Sequence, residues 1–201
     1  MKVIIIGGVA IGPKVAARLR RINPDAEITV LEKGSLISYG GCGLPLYVGN
    51  FVPKIDDLMM TSYGVLRDAD FFQAQKDIKV LTQTEAIKID RKDKNVLVRN
   101  LVTGLEATLS YDYLVLAIGA KPSIPPIPGI KLGHIFTFHH PQDAQKVKDL
   151  IKNKTVKHIT VMGSGLIGVE TADALASPRI KVTICEADSR VLPKLLDSHM
   201  F

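Results

Sequence analysis

The chain has 201 residues, of which 46% are hydrophobic and 23% are charged, a composition typical of a folded globular protein of one or two domains. Its net charge of +6 is spread among interspersed acids, with no basic run interleaved with aromatic residues, which argues against nucleic-acid binding. No segment reaches the roughly 18 uncharged apolar residues of a membrane helix. We therefore expect a cytoplasmic protein with reduced thiols that binds neither nucleic acid nor membrane.

The first predicted unit is a strand, a glycine-rich turn, a helix and a second strand. Residues 2–6 are a continuous apolar run, typical of a strand buried on both faces. Residues 13–22 place their apolar side chains on one helical face, and residues 27–32 predict the second strand. This order is a βαβ unit, the building block of nucleotide-binding folds.

The turn of this unit resembles the GxGxxG pattern of dinucleotide-binding proteins. Gly7 and Gly12 hold the first and third glycine positions, whereas Val9 stands at the second. Glu32 ends the second strand, where a carboxylate can accept hydrogen bonds from a ribose diol. We therefore predict a dinucleotide at this turn, although a packing turn without ligand would give the same glycines.

A cysteine lies in the glycine-rich stretch SYGGCGLPLYVGN, residues 38–50. Glycine reaches backbone conformations that other residues cannot, and it lets another molecule approach the main chain. The stretch is therefore either a floppy loop or a support that presents Cys42 to a flat partner.

The middle of the chain predicts a smaller sheet and a domain crossing. Residues 78–89 and 95–102 alternate as antiparallel strands do, and residues 111–120 predict a buried strand of the main sheet. The proline-rich residues 121–129 cannot form a helix or a central strand, so we predict the crossing between domains there.

A second βαβ unit follows, with strands over residues 158–162 and 181–186. Its turn fits GxGxxG fully with Gly163, Gly165 and Gly168, and Glu186 ends its second strand. A carboxylate there would repel a 2′-phosphate, which favours NADH over NADPH. Cys185, within this strand, is predicted to be structural, and neither cysteine has metal-ligand spacing.

Together these motifs resemble the flavin-dependent pyridine nucleotide-disulfide oxidoreductases. The resemblance is to their single-cysteine branch of coenzyme A-disulfide reductases, NADH oxidases and NADH peroxidases. It rests on GGVAIG with Glu32, ISYGGCGLPLYVG, YDYLVLAIGAKPSIPPIPG and GSGLIGVE with Glu186. It implies an α/β fold with two Rossmann-like βαβ units, an inserted small antiparallel sheet and a truncated second domain. The implied parts are an FAD-binding domain (1–120), a crossover and linker (121–149) and an incomplete NADH-binding domain (150–201).

The resemblance also implies roles for individual residues. FAD is expected to contact Gly7, Gly8, Val9, Ala10, Gly12, Glu32, Lys33, Ala117 and Gly119. NADH is expected to contact Gly163, Gly165, Leu166, Ile167, Gly168, Glu170 and Glu186, where Leu166 replaces an aromatic gate residue. Cys42 is the implied redox thiol, with Ser38 beside it. The phosphates of coenzyme A are expected to contact Arg18, Arg21 and Lys76.

Three functions remain open at this point. Peroxidases and several oxidases of the branch carry a histidine where this chain has Ala10, and alanine cannot transfer a proton. A thiol-type substrate is therefore favoured over peroxide. In this reading NADH reduces coenzyme A disulfide, or a related small disulfide or persulfide, through flavin and Cys42. The alternatives are an NADH oxidase that reduces oxygen and a non-catalytic nucleotide-binding module.

Members of the family are longer than this chain. They complete the NADH-binding domain and add an interface domain that forms a dimer. We therefore expect this chain to be a fragment or a truncated relative, and the full-length parent to be a homodimer.

Overall fold

A computed structural model describes residues 1–153, 156–192 and 195–200 of the chain. Residues 154, 155, 193, 194 and 201, within the predicted NADH-binding domain, lie outside the described residues. The chain divides into two compact units, Met1–Gly40 with Met59–Ala120, and Gly41–Leu58 with Lys121–Phe201. The segment Gly41–Leu58, which holds Cys42, thus packs with the later part of the chain, whereas the predicted FAD-binding domain runs unbroken from 1 to 120.

The helices and strands follow one another in an α/β order. The strands are β1 (Lys2–Ile6), β2 (Glu27–Leu31), β3 (Lys79–Leu81), β4 (Thr84–Asp90), β5 (Asn95–Asn100), β6 (Glu106–Ser110), β7 (Tyr113–Leu116), β8 (His158–Met162) and β9 (Lys181–Cys185). The helices are α1 (Ile11–Ile22), α2 (Leu44–Val48), α3 (Ala69–Lys76), α4 (Pro141–Lys152) and α5 (Leu166–Leu175). Both predicted βαβ units are present, and the predicted fold class is confirmed.

The first unit is built on a parallel sheet with the strand order β3-β2-β1-β7. Alternate side chains of β1 face opposite ways: Val3 and Ile5 pack in one apolar cluster with Ala16 of α1, and Ile4 packs in another with Val98 of β5. Burial on both faces explains why β1 is apolar at consecutive positions. The sheet is therefore held between α1 on one side and the small antiparallel sheet β4-β5-β6 on the other.

The structure corrects two predicted strands. Residues 78–89 are not one antiparallel strand, because β3 pairs parallel with β2 and β4 pairs antiparallel with β5. Between them Gln83 has a φ of 48°, a left-handed backbone that ends the extended run. Strand β7 joins the main sheet as predicted but lies at its edge, so Tyr113 is 62% exposed rather than buried.

The second unit contains a two-stranded parallel sheet, β8-β9, and the helices α2, α4 and α5. Helix α4 begins in the predicted linker and ends three residues inside the predicted NADH-binding domain. Pro141 lies in its first turn, and Asp143 accepts the amide N–H of His140 at 3.1 Å. Its buried residue Ala144 packs with Leu44 and Tyr47 of α2 and Leu175 of α5. Among the described residues, no helix has the length and apolar character needed to cross a membrane.

Truncation of a central side chain of β1 tests this packing. Ile5 is fully buried, whereas Ile22 at the end of α1 is 66% exposed. We expect Ile5→Ala to lower the free energy of unfolding by about 2–5 kcal/mol, because it removes buried methyl groups and leaves a cavity. The matched variant Ile22→Ala should change it by less than about 0.5 kcal/mol. Urea unfolding measures both, and equal losses would contradict the described core.

Candidate functional site

The first glycine turn joins β1 to α1 and has no room for a Cβ atom at Gly7 or Gly12. Gly7 has a φ of 111°, a left-handed conformation that favours glycine. A Cβ atom on Gly12 would collide with the carbonyl oxygen of Gly7, and one on Gly7 would collide with that of Ala117. The turn therefore brings the first residues of α1 directly against the end of β1.

The second turn repeats this construction between β8 and α5. Gly163 has a φ of 99°, and a Cβ atom on Gly168 would collide with the carbonyl oxygen of Gly163. The amide of Gly163 donates to the carbonyl of Cys185 at 2.8 Å, as the amide of Gly7 donates to Leu31 at 2.8 Å. The two turns thus share both their steric constraint and their tie to the neighbouring strand.

Each turn also binds the acid at the end of its second strand. Glu32 accepts hydrogen bonds from the amides of Gly8 at 2.7 Å and Gly34 at 2.6 Å. A Cβ atom on Gly8 would lie 2.9 Å from the Cβ of Glu32, so this position needs glycine. A carboxylate has about four lone-pair sites, so two protein donors leave Glu32 able to accept further hydrogen bonds from a ribose.

In the second turn Ser164 takes the place of Gly8 and changes the environment of the acid. Glu186 accepts both the amide and the hydroxyl of Ser164 at 2.6 Å, and the amides of Ala187 at 2.7 Å and Asp188 at 3.1 Å. The Ser164 hydroxyl, followed by the three amides, lowers the pKa of Glu186 to about 2. Glu186 is therefore a fixed negative charge whose lone pairs are largely taken by the protein itself.

The remaining turn positions fit a bound dinucleotide. Gly165 precedes α5, is exposed, and has no atom within 4 Å of the place where a Cβ would stand. Ala10, also exposed, precedes α1 in the same way. Because the first amides of a helix have no partner within it, they can donate to a pyrophosphate at either turn. A glycine with open space around it suits close approach of that ligand to the backbone.

Cys42 lies in a short 3-10 turn, Gly41–Gly43, that leads into α2, and its thiol is exposed. Two glycines of this stretch serve packing within the second unit. A Cβ on Gly43 would collide with the Leu58 side chain, and one on Gly49 would lie 2.8 Å from the carbonyl oxygen of Ala174 in α5. The stretch is therefore packed in place and is not a floppy loop. Because Gly43 and Gly49 serve this packing, fewer of its glycines are left for close approach of a ligand.

Ser38 is buried in the first unit, whereas Cys42 belongs to the second. Its amide donates to the carbonyl of Gly8 at 2.8 Å, and its own carbonyl accepts from the guanidinium of Arg67 at 3.1 Å. Arg67, which the sequence did not single out, also donates to the carbonyl of Met59 at 2.9 Å. Ser38 is thereby tied to the first glycine turn, and its role beside the thiol stays a prediction.

Two of the predicted phosphate-binding side chains lie together in the first unit. Arg21 and Lys76 line a groove of about 430 Å³ along α1 and the end of α3, while Arg18 is exposed outside its lining. Between them Arg20, which the sequence did not single out, donates to the Lys76 carbonyl at 3.1 Å and pairs with Asp77 at 3.2 Å. Arg20 thus holds the two helices together and places the flanking cations in one groove.

The other predicted contacts lie around the two turns. In the first unit, Lys33 forms an exposed ion pair with Glu85 at 2.7 Å, Val9 is half-buried, and Gly119 is exposed. In the second, exposed side chains on the first turns of α5 belong to Leu166, Ile167 and Glu170.

The second cysteine does not lie where the sequence placed it. Cys185 is exposed, because it is the last residue of β9, and not enclosed among apolar neighbours as predicted. Across the described ranges, no group of three or more His, Cys, Asp and Glu side chains has the arrangement of a metal site.

Comparison with known proteins shows what this arrangement is similar to. Residues 1–200 match the family described as pyridine nucleotide-disulphide oxidoreductase. An NADH oxidase of Methanocaldococcus jannaschii is 34% identical over 100% of this chain, and a coenzyme A disulfide reductase of Staphylococcus haemolyticus is 34% identical over 99%. A NAD-dependent persulfide reductase from A. fulgidus has a solved structure that matches with a TM-score of 0.95 and 44% identity over 100% of this chain. The chain spans 43% of each curated relative and 36% of the solved chain.

The open position Gly165 allows the ligand role of the second turn to be separated from its packing. We expect Gly165→Ala to weaken NADH binding roughly 10- to 100-fold, because the added methyl group occupies the space through which the ligand approaches the backbone. A loss of this size corresponds to about one charge-assisted hydrogen bond. The cost to folding should stay below about 1 kcal/mol, because alanine is only a poorer helix cap than glycine. Gly133→Ala, at another open and exposed glycine of the unit, is the control. Unchanged NADH affinity in Gly165→Ala, measured by calorimetry, would contradict a nucleotide at this turn.

The low pKa of Glu186 predicts a pH dependence of stability. The carboxyl titrates at 4.5 in its ordinary state and at about 2 in the folded protein. Its contribution to stability is therefore complete above pH 4.5 and is lost as the pH falls towards 2. Ser164→Ala should raise the pKa of Glu186, because the hydroxyl is the largest cause of the shift. Carbon-13 NMR of the carboxyl measures this, and an unchanged pKa in the variant would refute the assigned hydrogen bond.

Proposed function

Because the chain belongs to the pyridine nucleotide-disulphide oxidoreductase family, we propose that it forms part of an FAD-dependent enzyme that uses NADH to reduce a small disulfide through Cys42. The substrate is coenzyme A disulfide or a related low-molecular-weight disulfide or persulfide. The observation that carries the proposal is an exposed thiol in a chain with two glycine turns of the same construction. One turn holds each dinucleotide, and the thiol meets the substrate.

The residues of the first turn fit FAD, and those of the second fit NADH. Glu32 keeps lone pairs free for a ribose diol, and the first amides of α1 and α5 face the pyrophosphates. FAD, when bound, supplies a carrier that takes two electrons from NADH and passes them on to a disulfide. The chain's own contribution is to bind both nucleotides and to present the sulfur of Cys42.

The proposed chemistry at Cys42 is thiol-disulfide exchange. The Cys42 thiolate attacks one sulfur of the substrate RSSR, the S–S bond breaks, and one RS⁻ leaves as the Cys42–S–S–R bond forms. Two electrons that originate from NADH then reduce this mixed disulfide and release the second RS⁻. The sum is NADH + H⁺ + RSSR → NAD⁺ + 2 RSH, in which the disulfide is reduced and the nicotinamide oxidised.

A disulfide or persulfide substrate is favoured over oxygen by two observations. The solved relative with 44% identity is a persulfide reductase, and one curated relative is a coenzyme A disulfide reductase. Ala10, exposed at the start of α1, has no group that could transfer a proton at the first turn. The second candidate is an NADH oxidase, which the name of the Methanocaldococcus jannaschii relative supports.

Coenzyme A and the nicotinamide nucleotide are recognised by charge in this proposal. Arg21 and Lys76 line one groove of the first unit and, with Arg18 nearby on α1, suit the phosphates of coenzyme A. The fixed negative charge of Glu186 disfavours a 2′-phosphate and so favours NADH over NADPH. We also propose that the full-length protein is a homodimer and that it is located in the cytoplasm.

Replacement of the thiol tests the proposal, with Cys185 as an internal control. We expect Cys42→Ser to lower kcat for anaerobic reduction of coenzyme A disulfide by at least roughly 10³-fold, because no sulfur nucleophile remains. NADH-dependent reduction of ferricyanide, which takes electrons from the flavin directly, should continue. Cys185→Ser should change neither activity. An enzyme that releases no thiol anaerobically but consumes NADH rapidly with oxygen would instead be an NADH oxidase.

A further inference from the structure

A buried lysine of the second unit has no part in the chemistry described so far. Lys148 of α4 is 4% exposed, and no described Asp or Glu lies within ion-pair distance of its ammonium group. Its Nζ instead donates to the carbonyl of Tyr47 at 2.7 Å and to those of Pro53 at 3.3 Å and Val52 at 3.5 Å. It also lies 3.7 Å from the centroid of the Tyr47 ring.

These acceptors all belong to the segment that follows Cys42. Helix α2 begins two residues after the cysteine and ends at Val48, and the last carbonyls of a helix have no partner within it. A cation at this end satisfies them and opposes the negative end of the helix dipole. Lys148 thus holds both the end of α2 and the chain that leaves it.

The neighbouring turn of α4 supports the same segment. The Tyr47 hydroxyl donates to the side chain of Gln145, three residues before Lys148 on α4. Apolar contacts between Leu44, Val48 and Ala144 complete the interface. Cys42 is therefore attached to a short helix whose position depends on α4.

A lysine at this buried position lowers the free energy of unfolding, because its ammonium group loses its hydration when the protein folds. Burial lowers the pKa of Lys148, the charge of Lys152 lowers it further, and Asp149 acts in the opposite sense. An apolar side chain of similar length would avoid this desolvation. Stability alone therefore does not explain a charged group whose polar partners, among the described residues, are three carbonyls of the segment that follows Cys42.

We propose that Lys148 is a positioning residue for Cys42, which acts by fixing α2 and the segment after it so that the thiol is held where disulfide exchange takes place. The inference rests on the proposed function of Cys42. Lys148 itself touches no reacting atom. Small displacements of a reacting group lower the reaction rate strongly. Loss of the Lys148 contacts therefore slows the step at the thiol and leaves the nucleotide turns intact.

The test compares two ways of reducing an acceptor with the same enzyme. Lys148→Met and the milder Lys148→Gln should lower kcat for coenzyme A disulfide roughly 10- to 100-fold. The KM for NADH and the rate of ferricyanide reduction, which bypasses Cys42, should not change. Lys148→Arg, which keeps the charge, should retain more of kcat than either. Lys146→Met, at an exposed lysine of the same helix, is the matched control and should behave as wild type.

Amide hydrogen exchange gives a readout that does not depend on turnover. In Lys148→Gln, exchange should speed up in a peptide covering residues 41–53 and stay unchanged in β1, because only the anchored segment is released. Faster exchange throughout the protein, or disulfide and ferricyanide activities that fall together, would show a general structural role and overturn the proposal. Wild-type kcat in both neutral variants would also overturn it. Failure of the proposed function is recognised separately, by full disulfide reductase activity in Cys42→Ser.

Discussion

The rest of the structure depends on one steric constraint, which both glycine turns share. In each turn the third glycine approaches the carbonyl oxygen of the first glycine closely. At Gly12 and at Gly168 a single added carbon would collide with that carbonyl. This contact sets each helix directly on the end of a strand. The mouth of each turn then carries the first amides of the helix, the amide of Gly8 or Ser164, and the acid of the next strand. A dinucleotide can be held there without a cationic side chain.

The two turns share this scaffold and differ in one side chain. With Gly8 in the first turn, Glu32 has two protein donors and keeps acceptor capacity. With Ser164 in the second, Glu186 is surrounded by four hydrogen bonds and its pKa falls to about 2. With the Ser164 hydroxyl, the protein itself occupies most lone pairs of Glu186, whereas Glu32 keeps acceptor capacity for a ribose.

Much of this framework could be predicted from local sequence. An apolar run indicated β1, and glycine spacing indicated both turns, because strand burial and backbone conformation leave local patterns. Features that depend on distant partners could not be predicted. These are the sheets to which β3 and β4 belong and the contact of Lys148 with Tyr47, which lies 101 residues away in the chain. Helix α4 was not predicted, and most of its residues were assigned to the linker between the domains. The hydroxyl of Ser164 is a local signal within the turn that glycine spacing does not show.

The central claim is that electrons from NADH reach a small disulfide through Cys42. Intact and peptide mass spectrometry under anaerobic conditions test it most directly, with coenzyme A disulfide added first and NADH second to the FAD-containing protein. We expect an adduct of coenzyme A mass on Cys42 that disappears when NADH is added. An adduct on Cys185, an adduct that NADH does not remove, or no adduct at all would contradict it.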